Sequence, residues 1–348
     1  MTEIAPTRSP TQKDVAQALG LSQATVSRAL RHQREVPEAQ RRQILAAARK
    51  LGYRANASAT TLSYIRTGRR PKSVQAELAW INIWPEPKRL RNLPDFDHYW
   101  QGASTQALKL GYRLEEFDAC QIASPHRLEQ ILLARGIDGI LLPPFASFTW
   151  DWGDFHWDRF CVVRMSRTVT QPRVHLVTTD QVANALMAFQ EIRARDYERV
   201  GMATYEAGPL PHNRVFTYGY LGAQMSLSPG LRLPVFEMPA PSGPQTQRAF
   251  ERWLKRERPD AILTDSPIAD WVREAGYRIP EDIGLASTSV LGTETDAGIY
   301  QNPTEIGRVA VLVLATLIHD NDRGIPPIFR QILVEGRWVD GQTLPRRK

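Results

Sequence analysis

The sequence predicts a two-part protein: a small all-α helix-turn-helix headpiece, then a larger α/β body. Three observations carry the prediction. Charge is divided unevenly along the chain. The first sixty residues are punctuated by caps and a glycine turn. The remainder alternates apolar strand segments with helical ones. At 348 residues the chain is too long for one ordinary core. Hydrophobic residues make up 42% and charged residues 23%, the balance of a folded soluble protein. The net charge of +7 is confined to one end: residues 1–75 hold 14 Lys and Arg against 4 Asp and Glu, a net +10, and the rest is −3. A basic module that seeks a polyanion, joined to a near-neutral body with another task, explains that split.

Within the basic segment, Thr11-Gln12-Lys13-Asp14 reads as a capping box. Val15, Ala16 and Leu19 recur at helical spacing, and Gly20 supplies the left-handed residue of a tight turn. Ser22 is an N-cap for a second helix over 23–31, with Val26, Ala29 and Leu30 as its buried stripe. Gln23, Ala24 and Arg28 are then left facing outward, flanked by Ser22, Thr25 and Ser27. Two short helices joined in this way place the second in a DNA major groove. There an arginine can bind guanine in bidentate fashion and a short side chain can touch a thymine methyl. The short hydroxyls suit phosphates, which position without reading sequence. A third helix starts at Val36-Pro37-Glu38, buries Ile44, Leu45, Ala48 and Leu51, and stops at Gly52. Arg31, Arg34, Arg41 and Arg42 add sequence-independent attraction to a duplex. After Tyr53 comes RANASATTLSYIRTGRRPKS, with Asn56 as a possible cap and Ala59 and Leu62 on one side. Two readings stand for it: a flexible linker, or a segment that folds only against DNA with Leu62 as a minor-groove wedge.

TQKDVAQALGLSQATVSRAL, followed by VPEAQRRQILAAARKLGYRANASATTL, resembles the headpiece and hinge of the LacI/GalR family of bacterial transcription regulators. The resemblance implies that Gln23 and Ala24 choose among operators and that Arg28 is the common base-reading arginine. It implies that Tyr53 and Asn56 contact the DNA backbone, and that Leu62 enters the centre of a palindrome together with its counterpart in a second subunit. Ala55 departs from the family's usual proline.

In the body, strand candidates are 76–83, 113–117, 139–142, 160–165, 199–203 and 260–263, interleaved with helices at 99–110, 127–135, 183–195 and 244–258. The resemblance implies two Rossmann-like, periplasmic-binding-protein-like subdomains, crossed three times, near Asp180, Asn302 and Ile332. The expected organisation is a flexible 1–10, a DNA-binding domain at 11–54, hinge and linker at 55–75, and an effector-binding and dimerisation body at 76–348. One subdomain takes about 76–179 and 303–331, the other 180–302 and 332–348. A ligand would sit between them, beyond the strand C-termini.

For that ligand the resemblance points to Phe96 as a stacking aromatic, with Arg214 and Asp265 as polar contacts. Departures are clear. Phe216 stands where the family has a sugar-clasping arginine, Ser289 where an acidic residue is usual, and about one helical turn is missing after Asp265. The segment TWDWGDFHWDRF, 149–160, offers Trp150, Trp152 and Trp157 either for stacking on a sugar or as core or dimer-contact aromatics, and Trp152 is the one assigned to the effector.

Catalytic signatures are missing: there is no G-x-S-x-G, H-E-x-x-H or G-x-x-x-x-G-K-[ST]. Seven scattered histidines and two cysteines, Cys120 and Cys161, show no metal-ligand spacing, so neither a cofactor nor a metal is expected. No apolar run suits a membrane span, and the N-terminus lacks the apolar core of a secretory signal. The expectation is a cytoplasmic, dimeric repressor on double-stranded operator DNA, modulated by a sugar or sugar-derived effector. The alternatives are a solute-binding protein and a regulator that has lost small-molecule control.

Overall fold

The structure is a computed structural model that describes residues 11–30, 37–51, 76–145, 150–205, 214–239 and 243–347. Tyr53, Asn56, Ala59, Leu62, Arg31 and Arg34 lie outside the described residues. The chain divides into a unit over Met1–Thr67 and one over Gly68–Lys348.

Among the described residues, the first unit holds three helices: α1 (Gln12–Leu19), α2 (Gln23–Leu30) and α3 (Glu38–Lys50). The capping box is made: the Asp14 N–H donates to Thr11 Oγ1 at 3.4 Å, and the Thr11 N–H donates to Asp14 Oδ2 at 2.6 Å. Gly20 takes φ 63°, and the Leu21 N–H returns to the Ala16 carbonyl at 2.9 Å. An L side chain would be strained there, which is why the turn uses glycine. Ser22 Oγ then accepts from the Thr25 N–H at 3.1 Å and opens α2. Val15, Ala16, Val26, Ala29, Ile44 and Ala48 make the buried core. Leu51, expected on the apolar face of α3, falls after its last turn and is exposed.

Among the described residues, two six-stranded sheets build the second unit. The first contains β1 (Ala76–Asn82), β2 (Tyr112–Asp118), β3 (Gly139–Leu142), β4 (Cys161–Arg164), β5 (His175–Thr179) and β11 (Gln331–Val334), in the order β11-β5-β4-β3-β1-β2, all parallel. The second contains β6 (Val200–Tyr205), β7 (Phe236–Met238), β8 (Ala261–Thr264), β9 (Gly284–Ser287), β10 (Gly298–Tyr300) and β12 (Arg337–Val339), in the order β12-β10-β9-β8-β6-β7; only β12 runs antiparallel to its neighbour. Strands buried on both faces, such as AILT of β8, are what helix-covered parallel sheets require.

Helices α4 (Pro87–Asn92), α5 (Pro94–Lys109), α6 (Pro125–Ala134) and α11 (Pro303–Asp320) belong with the first sheet. The helices α7 (Gln181–Arg193), α8 (Val215–Gln224), α9 (Pro244–Glu257) and α10 (Ala269–Glu274) belong with the second. The chain therefore crosses at Asp180, at Gln301–Asn302 and at Glu335–Gly336. The third crossing, expected near Ile332, comes later because Ile332 still pairs with Val177 and Val334 with Thr179. The crossings are tied together. Asn184, fully buried on α7, donates to Thr179 Oγ1 at 2.7 Å and accepts from the Gly336 N–H at 2.8 Å. Asn302 donates to the Glu335 carbonyl at 2.8 Å.

Helices α5 and α11 meet at backbone distance. A β-carbon at Gly102 would overlap the Thr304 carbonyl, and one at Gly307 would overlap the Tyr99 carbonyl. Helix propensity alone favours Ala over Gly by about 0.8–1.0 kcal/mol, whereas overpacking against an unyielding backbone costs about 1–3 kcal/mol or more. Gly102→Ala therefore lowers the thermal unfolding midpoint. Gly222→Ala in α8, where nothing lies within 4 Å, leaves it unchanged or raises it. Equal responses at the two sites would contradict the close approach.

Candidate nucleic-acid interface and inter-subdomain cleft

On α2, Val26 and Ala29 are fully buried while Gln23, Ala24 and Arg28 are exposed. At 100° per residue the buried pair occupies one arc and Gln23, Ala24, Ser27 and Arg28 the opposite one. Arg28 is held along the helix by a hydrogen bond from Nε to the Ala24 carbonyl at 3.3 Å, which directs its guanidinium along the exposed face. Ser22 Oγ and Thr25 Oγ1 lie 2.8 Å apart. That bond uses one of their two hydroxyl protons and leaves the other for an external acceptor. The residues singled out from the sequence thus share one solvent face, and the helix is held from behind by apolar packing.

The second site lies where the C-terminal ends of the two sheets face each other. From the first sheet come Trp84, just beyond β1, and the first turn of α5 with Asp95, Phe96 and His98. Trp84 is fixed by its indole N–H, which donates to the Pro144 carbonyl at 2.9 Å. The Phe96 ring sits 6.4 Å from Trp84 and 5.9 Å from Tyr99. From the second sheet come Asp265, beyond β8, and Ser289, beyond β9. Ser289 Oγ donates to Asp95 Oδ2 at 2.7 Å, a bond between residues 194 apart that spans the cleft. Asp265 accepts from Thr204 Oγ1 at 2.6 Å, Ser266 Oγ at 2.6 Å and the Tyr205 N–H at 3.3 Å. Its side chain is open to solvent, yet desolvation raises its carboxyl above the usual carboxylate range. Both properties fit a group on the wall of a concave space, wetted on one side and surrounded by protein on the others. Desolvation raises the Asp95 carboxyl as well, against the opposing effect of the Ser289 hydrogen bond and the His98 charge.

Of the four residues assigned to the effector, Phe96 and Asp265 stand on the walls of this cleft. Arg214 pairs with Glu237 at 3.0 Å, an ion pair between the start of α8 and β7. Trp152 belongs elsewhere. It is 7% exposed within the core of the first subdomain, with Trp157 at 4.7 Å and Phe155 at 5.6 Å between ring centroids, so it offers no face to a ligand. Phe216 packs against the core of the second subdomain. Asp95 and His98 were not identified from the sequence. The signal was a carboxylate and an imidazole three residues apart, flanking Phe96 on the first turn of a helix.

Residues 11–56 match the family model described as bacterial regulatory proteins, lacI family, and residues 189–344 match that of the periplasmic binding protein-like domain. No curated protein matches the chain at a significant level. Among solved structures it is similar to a transcriptional regulator CelR–cellobiose complex, at 18% identity over 96% of this chain and 99% of that one, with a TM-score of 0.56. It is also similar to a LacI-family transcriptional regulator from Silicibacter pomeroyi, at 21% identity over 97% and 100%, TM-score 0.53. A third is the lac repressor dimer bound to operator and the anti-inducer ONPF, at 17% identity over 97% and 100%, TM-score 0.54.

Because the folded state raises the Asp265 carboxyl, it holds that proton more tightly than the unfolded chain does. Stability from this group is therefore greatest in acid and falls as pH rises through the window between the ordinary and the raised value. Asp265→Asn removes that loss, so its unfolding midpoint relative to the parent improves as pH rises from the ordinary carboxylate range towards neutrality. A constant difference across that range would contradict the desolvated carboxyl.

Proposed function

Because the chain belongs to the lacI family of bacterial regulatory proteins, we propose that it is a sequence-specific repressor that sets two headpieces on a palindromic operator as a dimer. A sugar or sugar-derived effector in the cleft modulates it. The observation that carries the reading is the two-sided α2: Val26 and Ala29 anchor it while Gln23, Ala24 and Arg28 face solvent together. A helix held this way enters a major groove without rearrangement, and the Arg28 guanidinium supplies the paired donors that guanine O6 and N7 require. Ser22, Thr25 and Ser27 contact phosphates and set the register. Tyr53, Asn56, Ala59 and Leu62 continue the interface through the backbone and the minor groove, on the strength of their motif alone.

The cleft supports the effector side. Three crossings joined by Asn184 and Asn302 restrict the subdomains to a common hinge. A ligand that prefers one angle by about 1–3 kcal/mol changes DNA affinity by the same coupling energy. The cellobiose held by the CelR relative is the precedent for a sugar. Among the described residues no helix is long and apolar enough to cross a membrane.

Selection of bound fragments from a random duplex pool tests the DNA reading directly. A palindromic consensus is expected, and absence of any preferred sequence at moderate salt would sink it. Arg28→Ala is expected to cost about 1–3 kcal/mol on that consensus and to relax choice at one base position. An equal loss on every duplex would make Arg28 a phosphate contact instead. Leu62→Ala is expected to weaken consensus binding while leaving the unfolding profile of the headpiece intact, and unchanged affinity would remove the wedge.

A further inference from the structure

Helix α8 reads VFTYGYLGAQ and carries no charged residue, yet one of its faces is open to solvent. Tyr218, Leu221 and Met225, the last at its C-cap, recur at i, i+3 and i+7 and are exposed, Met225 to 75%. A surface helix ordinarily covers such a face with charge: α9, PQTQRAFERWLKRE, exposes Arg248, Arg252, Lys255 and Arg256. The neighbouring helix widens the apolar face. A β-carbon at Gly219 would come 2.7 Å from Ala185 Cβ and 2.8 Å from the Val182 carbonyl, so α7 and α8 pack at backbone distance. Val182 is exposed beside this contact. Between the two helices runs a groove of about 420 Å³, whose lining includes Leu186, Phe189, Gly222, Ala223 and Leu227. Gly222 leaves a hollow there, with open space where its β-carbon would stand. The charges of α7 are confined to its last turn, where Glu191 pairs with Arg195 at 2.6 Å and Arg193 is tied to the Tyr197 and Glu198 carbonyls.

We propose that this outer face of α7 and α8 is a contact between copies of this chain, made across a two-fold axis. Its shape is self-complementary, because protrusion and hollow lie side by side on one surface: Met225 of each copy enters the groove at Gly222 of the other. A two-fold contact sets the residues near the axis against their own copies, so only an uncharged face escapes like-charge repulsion there. A charged partner finds nothing on α8 to pair with. Among the described residues no unmet polar atom lines the groove to orient a small molecule. Size decides the strength. A face one helix length by two helix widths is about 20 Å by 20 Å, so the pair buries about 800 Å², below the roughly 1,200–2,000 Å² of a stable interface. A contact of that size does not hold free monomers together; it joins units already paired elsewhere. It rests on the reading that the chain is a dimer, and it links two such dimers as concentration rises.

Sedimentation velocity of the full chain between about 1 and 100 μM tests the proposal. The parent is expected to show a concentration-dependent species of twice the dimer mass. Met225→Glu, at a site open enough to take the change without unfolding, is expected to shift that association to higher concentration by about tenfold or more. Gly222→Lys fills the hollow with a charge and improves helix propensity, so association is expected to fall while the unfolding midpoint stays or rises. A merely structural role could not move the two readings apart. Ile328→Glu, at a residue 80% exposed in the first subdomain, should leave association at parent values. Unchanged association in both Met225→Glu and Gly222→Lys would overturn the proposal, as would an equal loss in Ile328→Glu. A parent that stays dimeric at every concentration would overturn it too and leave the face to a different apolar partner. Variants that remain dimers and bind operator as the parent does would leave the operator reading standing, whereas a parent monomeric throughout would sink both.

Discussion

The backbone-distance contact between α5 and α11 is the constraint on which the cleft depends. Glycine at 102 and 307 lets the two helices approach until carbonyl oxygens fill the space a methyl group would need. The contact fixes α5 rigidly, and with it the direction of its first turn, where Asp95, Phe96 and His98 reside. It fixes α11 as well, which begins directly after the second crossing, with Asn302 in the left-handed conformation and Pro303 at the first helical position. One wall of the cleft and one strand of its hinge are therefore parts of the same packed pair. A change in the angle between subdomains has to be absorbed at the crossings, since the helix pair cannot yield.

The two units solve their stability problems differently. Among the described residues of the headpiece, a small apolar core of Val15, Ala16, Val26, Ala29, Ile44 and Ala48 is supplemented by local devices. The Thr11–Asp14 box, the left-handed Gly20 and the Ser22 cap each satisfy backbone groups that a short helix leaves open. The body is rich in fully buried side chains and tolerates local cost. It leaves Asp95 Oδ1 and His98 Nδ1 unmet beside the cleft, where desolvation raises the Asp95 and Asp265 carboxyls, and it bears costs of the same kind at Trp80, Trp150, Glu116 and Asp118.

Local signals were read well and long-range ones less so. Helices α1 and α2, their caps and the turn between them are encoded within about twenty consecutive residues, and the structure places them within a residue or two of expectation. The Trp-rich segment misled in one respect. Three tryptophans in eight residues suit either a sugar platform or a core, and only the surrounding Phe155, Phe160 and α6 decide that Trp152 is enclosed. Strands β7, β10 and β12 have three residues each, too few for a periodic pattern to emerge. The third crossing came late because Ile332, Leu333 and Val334 still have β5 to pair with, a partner more than 150 residues away.

By itself the sequence determined the headpiece, its outward residues 23, 24 and 28, and the alternating character of the body. Those follow from caps, turns and periodicities that act over a few residues. Only the tertiary structure decided which polar groups meet across the cleft. Asp95 and Ser289, remote in the chain, come within hydrogen-bond reach because two sheets end facing each other, and no local pattern encodes that meeting. The same holds for Arg214, whose pairing with Glu237 depends on how α8 and β7 are set side by side.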